Sequence, residues 1–295
     1  MEQQTTNWSK ILGIVVVASI IVSLITVKLS GTSSQVASGT GVYDRVMKVG
    51  VIKSCYVVYP PAVIKDANTG KISGIFVEVL DKAAQNMGLK TDWVAEVGWG
   101  DQIEAINTGK CDIIGSDSWS NSTRGKSAEF IQPLYYSAIN AYARANDFRF
   151  DSDVLFANNA NYKLVTIDGE TSSVIAAQKF PNAKTLQLPQ LTDVSQLFVN
   201  VADGKADMTF QEASTAYQYM KNNPGKIKNV STTKPVVIYG NVMMVKKGEF
   251  AFKTAIDNAM IELLSNGFMD DVISKYEKDY PGGFYRVAVP YVVPK

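Results

Sequence analysis

Residues 116–124 read SDSWSNSTR: an acid, an indole, an amide, several hydroxyls and a closing guanidinium within nine positions. Residue types of this kind recognise rather than react. A guanidinium fork fixes both oxygens of a carboxylate through two parallel N–H···O bonds. Tryptophan donates an indole N–H or presents a ring face, and aspartate offers only acceptors. The wider sequence removes the common alternatives. None of the 295 residues is histidine, which excludes Ser-His-Asp and Cys-His catalysis and leaves zinc without its usual ligand. The two cysteines, Cys55 and Cys111, have neither metal spacing nor a CxxC pairing. Glycine-rich phosphate motifs are missing, so neither a metal nor a cofactor is expected. A net charge of +1 gives no footprint for nucleic acid.

The elements that must position this stretch are legible in the hydrophobic pattern. VMKVGVI (46–52) reads as a strand. After Gly74, the residues Phe76, Val79, Leu80, Ala83, Ala84 and Met87 make one helical face, which Gly88 ends. LKTDWVAEV is the next strand. Asp101 and Glu104 form a capping-box pattern for a helix ending at Gly109, and CDIIG is a third strand running into the opening motif. Alternating strands and helices predict parallel βαβ construction. The device recurs: INTGKCDIIGSD (106–117) parallels VADGKADMTFQE (201–212), each with an acid five residues after its Gly-Lys-x-Asp aspartate. Two α/β lobes of similar plan follow. Ligands of open parallel sheets sit outside the carboxyl ends of the strands, where Asp117 and Glu212 stand. Cys55 follows the carboxyl end of the first strand and Cys111 precedes the amino end of DIIG; if those strands are parallel neighbours, the sulfurs lie at opposite edges of the sheet, and two free thiols are expected.

Residues 11–27, ILGIVVVASIIVSLITV, carry no charge and lie between Lys10 and Lys28. As a helix they cover roughly 25 Å, within the range for a membrane span. They read as a transmembrane anchor or signal segment. The anchor is preferred, because the VAS cleavage pattern at 36–38 lies far beyond the apolar run. Residues 1–10 form a short N-terminal segment and 28–44 a flexible tether.

The quoted segments, with GKISGIFVEVLDKAAQNMG and IYGNVMMVKKGEFAFKTAIDNAMIELLSNGFMDDVISKY, resemble the type 2 periplasmic solute-binding proteins. The resemblance is to the family-3 group serving polar amino-acid ABC importers, and it covers residues 47–276. It implies an α/β fold of two lobes, each a mostly parallel sheet flanked by helices, joined by a two-strand hinge. Residues 45–139 would form lobe 1 and 140–237 lobe 2. Residues 238–280 would return to lobe 1, with 281–295 as a tail and crossings near 138–142 and 235–240.

The same resemblance assigns roles. Arg124 falls where the family clamps the ligand α-carboxylate. Glu212, in place of the more usual aspartate, falls where an acid pairs with the α-ammonium. Gly169, Glu170, Thr171 and Ser172 occupy a turn at a helix start whose backbone N–H groups can bind an anion. Glu170 departs from the pattern there. Tyr56 and Tyr59 stand where an aromatic meets the ligand, and Glu78 is a structural acid at a helix N-terminus. Asp117, Trp119 and Asn121 replace a glycine and two threonines, which leaves the ligand open. Two cleft acids against one arginine hint at a second positive charge on it, as in lysine, ornithine or arginine.

The implied function is a monomeric, membrane-tethered extracytoplasmic receptor that captures an amino acid or similar carboxylate for an ABC permease. It performs no chemistry. One alternative is a cyclohexadienyl-type dehydratase with a proton donor among Glu170, Glu212, Asp117 or a tyrosine. Another is a sensory ligand-binding domain.

Overall fold

The computed structural model describes residues 41–287. The segments expected at 1–10 and 11–27 lie outside the described residues, as does most of the tether. Among the described residues, no helix is long and apolar enough to cross a membrane.

The described chain opens with a helix, α1 (Val42–Val49), rather than with the end of a tether and a strand starting at residue 46. Charge placement explains the difference. Asp44 lies in the first turn and Lys48 in the last, each complementing the helix dipole, while Val46 is buried. The Glu249 carboxylate accepts from the Val42 N–H at 2.9 Å. Gly50 ends the helix at φ 77°, so β1 begins only at Val51 and runs to Tyr56.

A two-stranded ribbon, β2 (Ile64–Lys65) and β3 (Ile72–Ser73), leads into α2 (Ile75–Asn86). The apolar stripe foreseen for α2 is its buried face, with Phe76, Val79, Leu80, Ala83 and Ala84 all inaccessible. Gly74 before it has φ 126°, and a Cβ there would lie 2.4 Å from the Ala62 carbonyl oxygen, so only glycine fits. After β4 (Lys90–Glu96) comes α3 (Gln102–Asn107). The expected capping box does not form. Asp101 is itself helical and its side chain caps nothing, because a turn closed by the Asp101 N–H on Gly98 O starts the helix.

The chain continues through β5 (Ile113–Trp119), β6 (Ala128–Phe130), β7 (Tyr135–Arg144), β8 (Lys163–Ile167), α4 (Thr171–Lys179), β9 (Lys184–Leu188) and α5 (Ser195–Ala202). It finishes with β10 (Met208–Glu212), α6 (Ala213–Asn222), β11 (Ile227–Asn229), β12 (Val237–Lys246), α7 (Phe250–Ser265), α8 (Phe268–Glu277) and β13 (Tyr285–Arg286). The main sheet runs β4-β1-β5-β12-β7-β10-β8-β9. Its two longest strands, β12 and β7, pair antiparallel at the centre. On one side β1 pairs parallel with β4 and β5, and on the other β8 pairs parallel with β10 and β9. A separate core builds up around Phe150, Phe180 and Phe210, the last two rings stacked at 4.8 Å.

Helices α7 and α8 pack on α2. Glu78, in the first turn of α2, accepts from the Tyr276 hydroxyl and pairs with Lys275, while Tyr276 Oη accepts from the Gly74 N–H at 2.9 Å. Tyr276→Phe leaves that part-buried N–H without its acceptor, so a loss of about 1–2 kcal/mol in denaturant unfolding is expected. The start of the tail closes the same region. Phe284 is buried with its ring edge-on to Tyr135, β13 pairs with β7, and Arg286 holds Asp270 and Glu277.

The cysteines correct the sequence reading. Cys55 and Cys111 form a disulfide, with Cα atoms 5.7 Å apart. The expectation of free thiols placed Cys55 beyond the carboxyl end of a strand over 46–52, whereas β1 spans Val51–Tyr56 and Cys55 lies within it. The register runs Ser54↔Ile113 and Cys55↔Ile114, but Cys111 lies two residues ahead of β5 and is not in the sheet. That register sets the amino end of β5 beside Cys55, within reach of Cys111.

Candidate functional site

The ladder register gathers the site onto one face of the sheet. Asn241 of β12 pairs with both Trp119 of β5 and Tyr135 of β7, and Tyr239 pairs with Ser137. Ile139 pairs with Glu212 of β10. Paired residues share a face and alternate residues along a strand return to it. Asp117, Trp119, Tyr135, Ser137, Glu212, Tyr239 and Asn241 therefore project to the same side.

The side chains there are buried and interlocked. Tyr239 Oη donates to Glu212 Oε1 at 2.7 Å, and the Tyr239 and Trp119 rings lie 5.3 Å apart. With its amide turned to suit its neighbours, Asn241 donates to both Asp117 oxygens at 2.8 and 2.9 Å and accepts from Ser137 Oγ at 2.7 Å. Asp117 and Glu212 are 3% and 1% exposed and have no cationic partner among the described residues. Burial, then the charges of Glu212 and Glu170, raises Asp117 well above the usual carboxylate range. Burial likewise pushes Glu212 up to about 7, with Glu170 adding to it.

Glu170 has a different task. Its Oε2 accepts from the Ser172 N–H at 2.7 Å and from the Ser172 hydroxyl, and its Oε1 from Gln211 Nε2 at 3.1 Å. The carboxylate thus caps α4, whose N-terminus a bound anion would otherwise occupy. Thr171 and Ser172 are buried beside it, with the Ser172 donors already used.

Arg124 lies at the other end of the opening motif, where its Nη2 donates to Trp99 O at 3.2 Å and Gln102 Oε1 at 3.0 Å. It has no carboxylate partner among the described residues, and burial lowers its pKa. Gln102 is fully buried, and its Nε2 donor has no partner among the described residues. Tyr59 joins this end to the rest: its ring meets Trp99 edge-on at 5.7 Å, and its hydroxyl donates to Gln211 Oε1 at 2.9 Å and accepts from Thr215 Oγ1 at 3.2 Å. Close backbone approach completes the assembly. A Cβ on Gly169, at φ 74°, would meet the Gly100 nitrogen at 2.6 Å, and the Gly100 N–H donates to Gln190 Oε1 at 2.8 Å.

Two residues singled out in the sequence lie elsewhere in this network. Tyr56 packs edge-on to Trp93 at 6.1 Å. Asn121 accepts the Arg124 N–H at 2.9 Å and shapes the turn that presents Arg124. Gln102, Tyr135, Ser137, Gln211, Tyr239 and Asn241 were not singled out. Polar alternation at 135/137 and 239/241 was the available signal.

The family of solute-binding domains accounts for this arrangement over most of the chain: residues 52–279 match the bacterial extracellular solute-binding proteins, family 3. The chain belongs to that family. A probable histidine-binding protein of Campylobacter jejuni is 24% identical, covering 70% of this chain and 77% of the relative. The L-cystine-binding protein TcyA of Bacillus subtilis is 20% identical, covering 74% and 77%. Among solved structures, an ancestral amino acid-binding protein described as a precursor of cyclohexadienyl dehydratase superposes with a TM-score of 0.70. It is 22% identical and covers 80% of this chain and 99% of its own. The fold is therefore that of the type 2 periplasmic binding proteins, as the sequence motifs imply. As a family-3 solute-binding protein, the chain has Asp117 and Glu212 on the two strands that flank its central pair, with Arg124 in the segment that follows β5.

Proposed function

We propose that this family-3 protein is the receptor of an ABC importer and captures an amino acid by closure of two lobes, 45–139 with 238–280 against 140–237. The observation that carries the reading is the donor pair at Arg124 and Gln102. A guanidinium without a carboxylate partner, beside a fully buried amide N–H₂ without an acceptor, is built to receive a carboxylate. The names of the histidine- and L-cystine-binding relatives support the same solute class. The apolar segment 11–27 would hold the receptor at the outer membrane face, and the permease would read the hinge motion.

A thermal-shift series with the twenty amino acids and small carboxylates tests this, since a ligand at 100 times its Kd stabilises by about 2.7 kcal/mol. At least one amino acid should raise Tm, and Arg124→Met should weaken its binding about 30-fold or more. If no amino acid moved Tm, or the arginine variant bound like wild type, the reading would fail. Turnover of prephenate or arogenate would replace it with the dehydratase reading.

A further inference from the structure

Counting charge at the site gives a sharper statement about the ligand, and it rests on the receptor reading above. Glu170 is satisfied by three donors from its own chain. Asp117 and Glu212 are not neutralised by any cation among the described residues, although each accepts neutral donors. A zwitterionic ligand with its carboxylate on Arg124 brings one ammonium, enough for one of these two acids. The other would have to keep a proton or carry a buried, uncompensated charge, whereas a second positive charge on the ligand lets both acids ionise against a partner. A second, independent feature points to the same place. Tyr135 is fully buried, shares the face of Asp117 and Glu212, and has a hydroxyl without a hydrogen-bond partner among the described residues. The Trp119 and Tyr239 rings, 5.3 Å apart on that face, offer the electron-rich surfaces that attract cations. Capping of α4 by Glu170 also removes a place where a second anionic group could bind.

We propose that the ligand carries a net positive charge, with an ammonium or guanidinium held by Asp117, Glu212 and the Tyr135 hydroxyl against the Trp119 and Tyr239 rings. Two kinds of small molecule share this chemistry: amino acids with a cationic side chain, and amines without a carboxylate.

Calorimetric titration of the intact protein with arginine, lysine, agmatine, cadaverine and glutamine distinguishes them. The expected result is that at least one cationic probe binds roughly 30-fold or more tightly than glutamine. Asp117→Asn should reduce that ratio by about 30-fold. Tyr135→Phe, which removes a hydroxyl with no partner among the described residues, should fold as stably as wild type and still lose several-fold affinity for the cation. Arginine tighter than agmatine would place a carboxylate on Arg124. Agmatine or cadaverine binding alone would uphold the cationic ligand and overturn the amino-acid reading. Glutamine or another neutral amino acid binding as tightly as any cationic probe would sink the inference and leave the receptor reading standing. No binding by any cationic probe would overturn the inference, and the receptor reading would then fall only if none of the twenty amino acids moved Tm.

Discussion

Unfolding in the presence of reductant should show a protein about 4 kcal/mol less stable than the oxidised form, because the Cys55–Cys111 bridge closes a loop of 56 residues. In the chain-entropy account the bridge acts on the unfolded ensemble, and the gain grows with the logarithm of loop length. This loop contains α2, β4 and α3, so every arrangement in which β1 and β5 drift apart is restricted. Both sulfurs are buried, so reductant reaches them only through unfolding. Urea titrations with and without reductant, followed by circular dichroism, measure the difference. Thiol alkylation after denaturation gives a second reading: no free thiol before reduction, two after it. Coincident urea midpoints would refute the expected stabilisation, and two reactive thiols in the unreduced denatured chain would refute the bridge itself.

The bridge also marks where sequence reasoning stops. Periodicity identified the α2 stripe because Phe76, Val79, Leu80, Ala83 and Ala84 must share a face to be buried at all. The repeated Gly-Lys-x-Asp device located Asp117 and Glu212, since a strand end is a position along the chain. The bridge escaped because β1 begins at Val51 rather than at residue 46, so Cys55 lies within the strand, beside the amino end of β5. Helix α1 escaped for a related reason: its eight residues depend on Glu249, 207 positions away, to cap Val42. Within the site, the type of Glu170 was readable but its direction was not. A carboxylate that folds back onto Ser172 and one that faces the cleft are the same letter. Tyr135 and Gln102 were less accessible still, because an unpartnered buried donor is defined by what its neighbours fail to provide.

The ligand-free protein should gain stability as pH falls from about 7.5 to about 5, by about 3 kcal/mol from Glu212 alone. The sign follows from the direction of the shift. Glu212 is pushed up to about 7 in the folded state, whereas an unfolded glutamate titrates near ~4.3. Above pH 7 both states are ionised, and the folded one carries the whole cost of a buried carboxylate. Between the two values the folded state holds a proton that the unfolded state lacks, so stability rises as pH falls, and the gain is complete once both are protonated. Asp117 and Glu170, both raised by burial, act in the same direction. The other groups facing Glu212 are Tyr59, Tyr135, Tyr142 and Tyr239, all raised chiefly by burial and neutral throughout this window. Asp66, Asp147 and Asp207 are lowered, so their contributions fade only below the ordinary carboxylate range. With no histidine in the chain, no imidazole titrates across the interval. Urea unfolding at pH 7.5, 6.5 and 5.5 reads the slope, and Glu212→Gln should reduce it, leaving the part that Asp117 and Glu170 contribute. A saturating cationic ligand should reduce it too, because its charge replaces the proton. A slope of opposite sign, or one unchanged in the glutamine variant, would show that Glu212 is not the group that sets it.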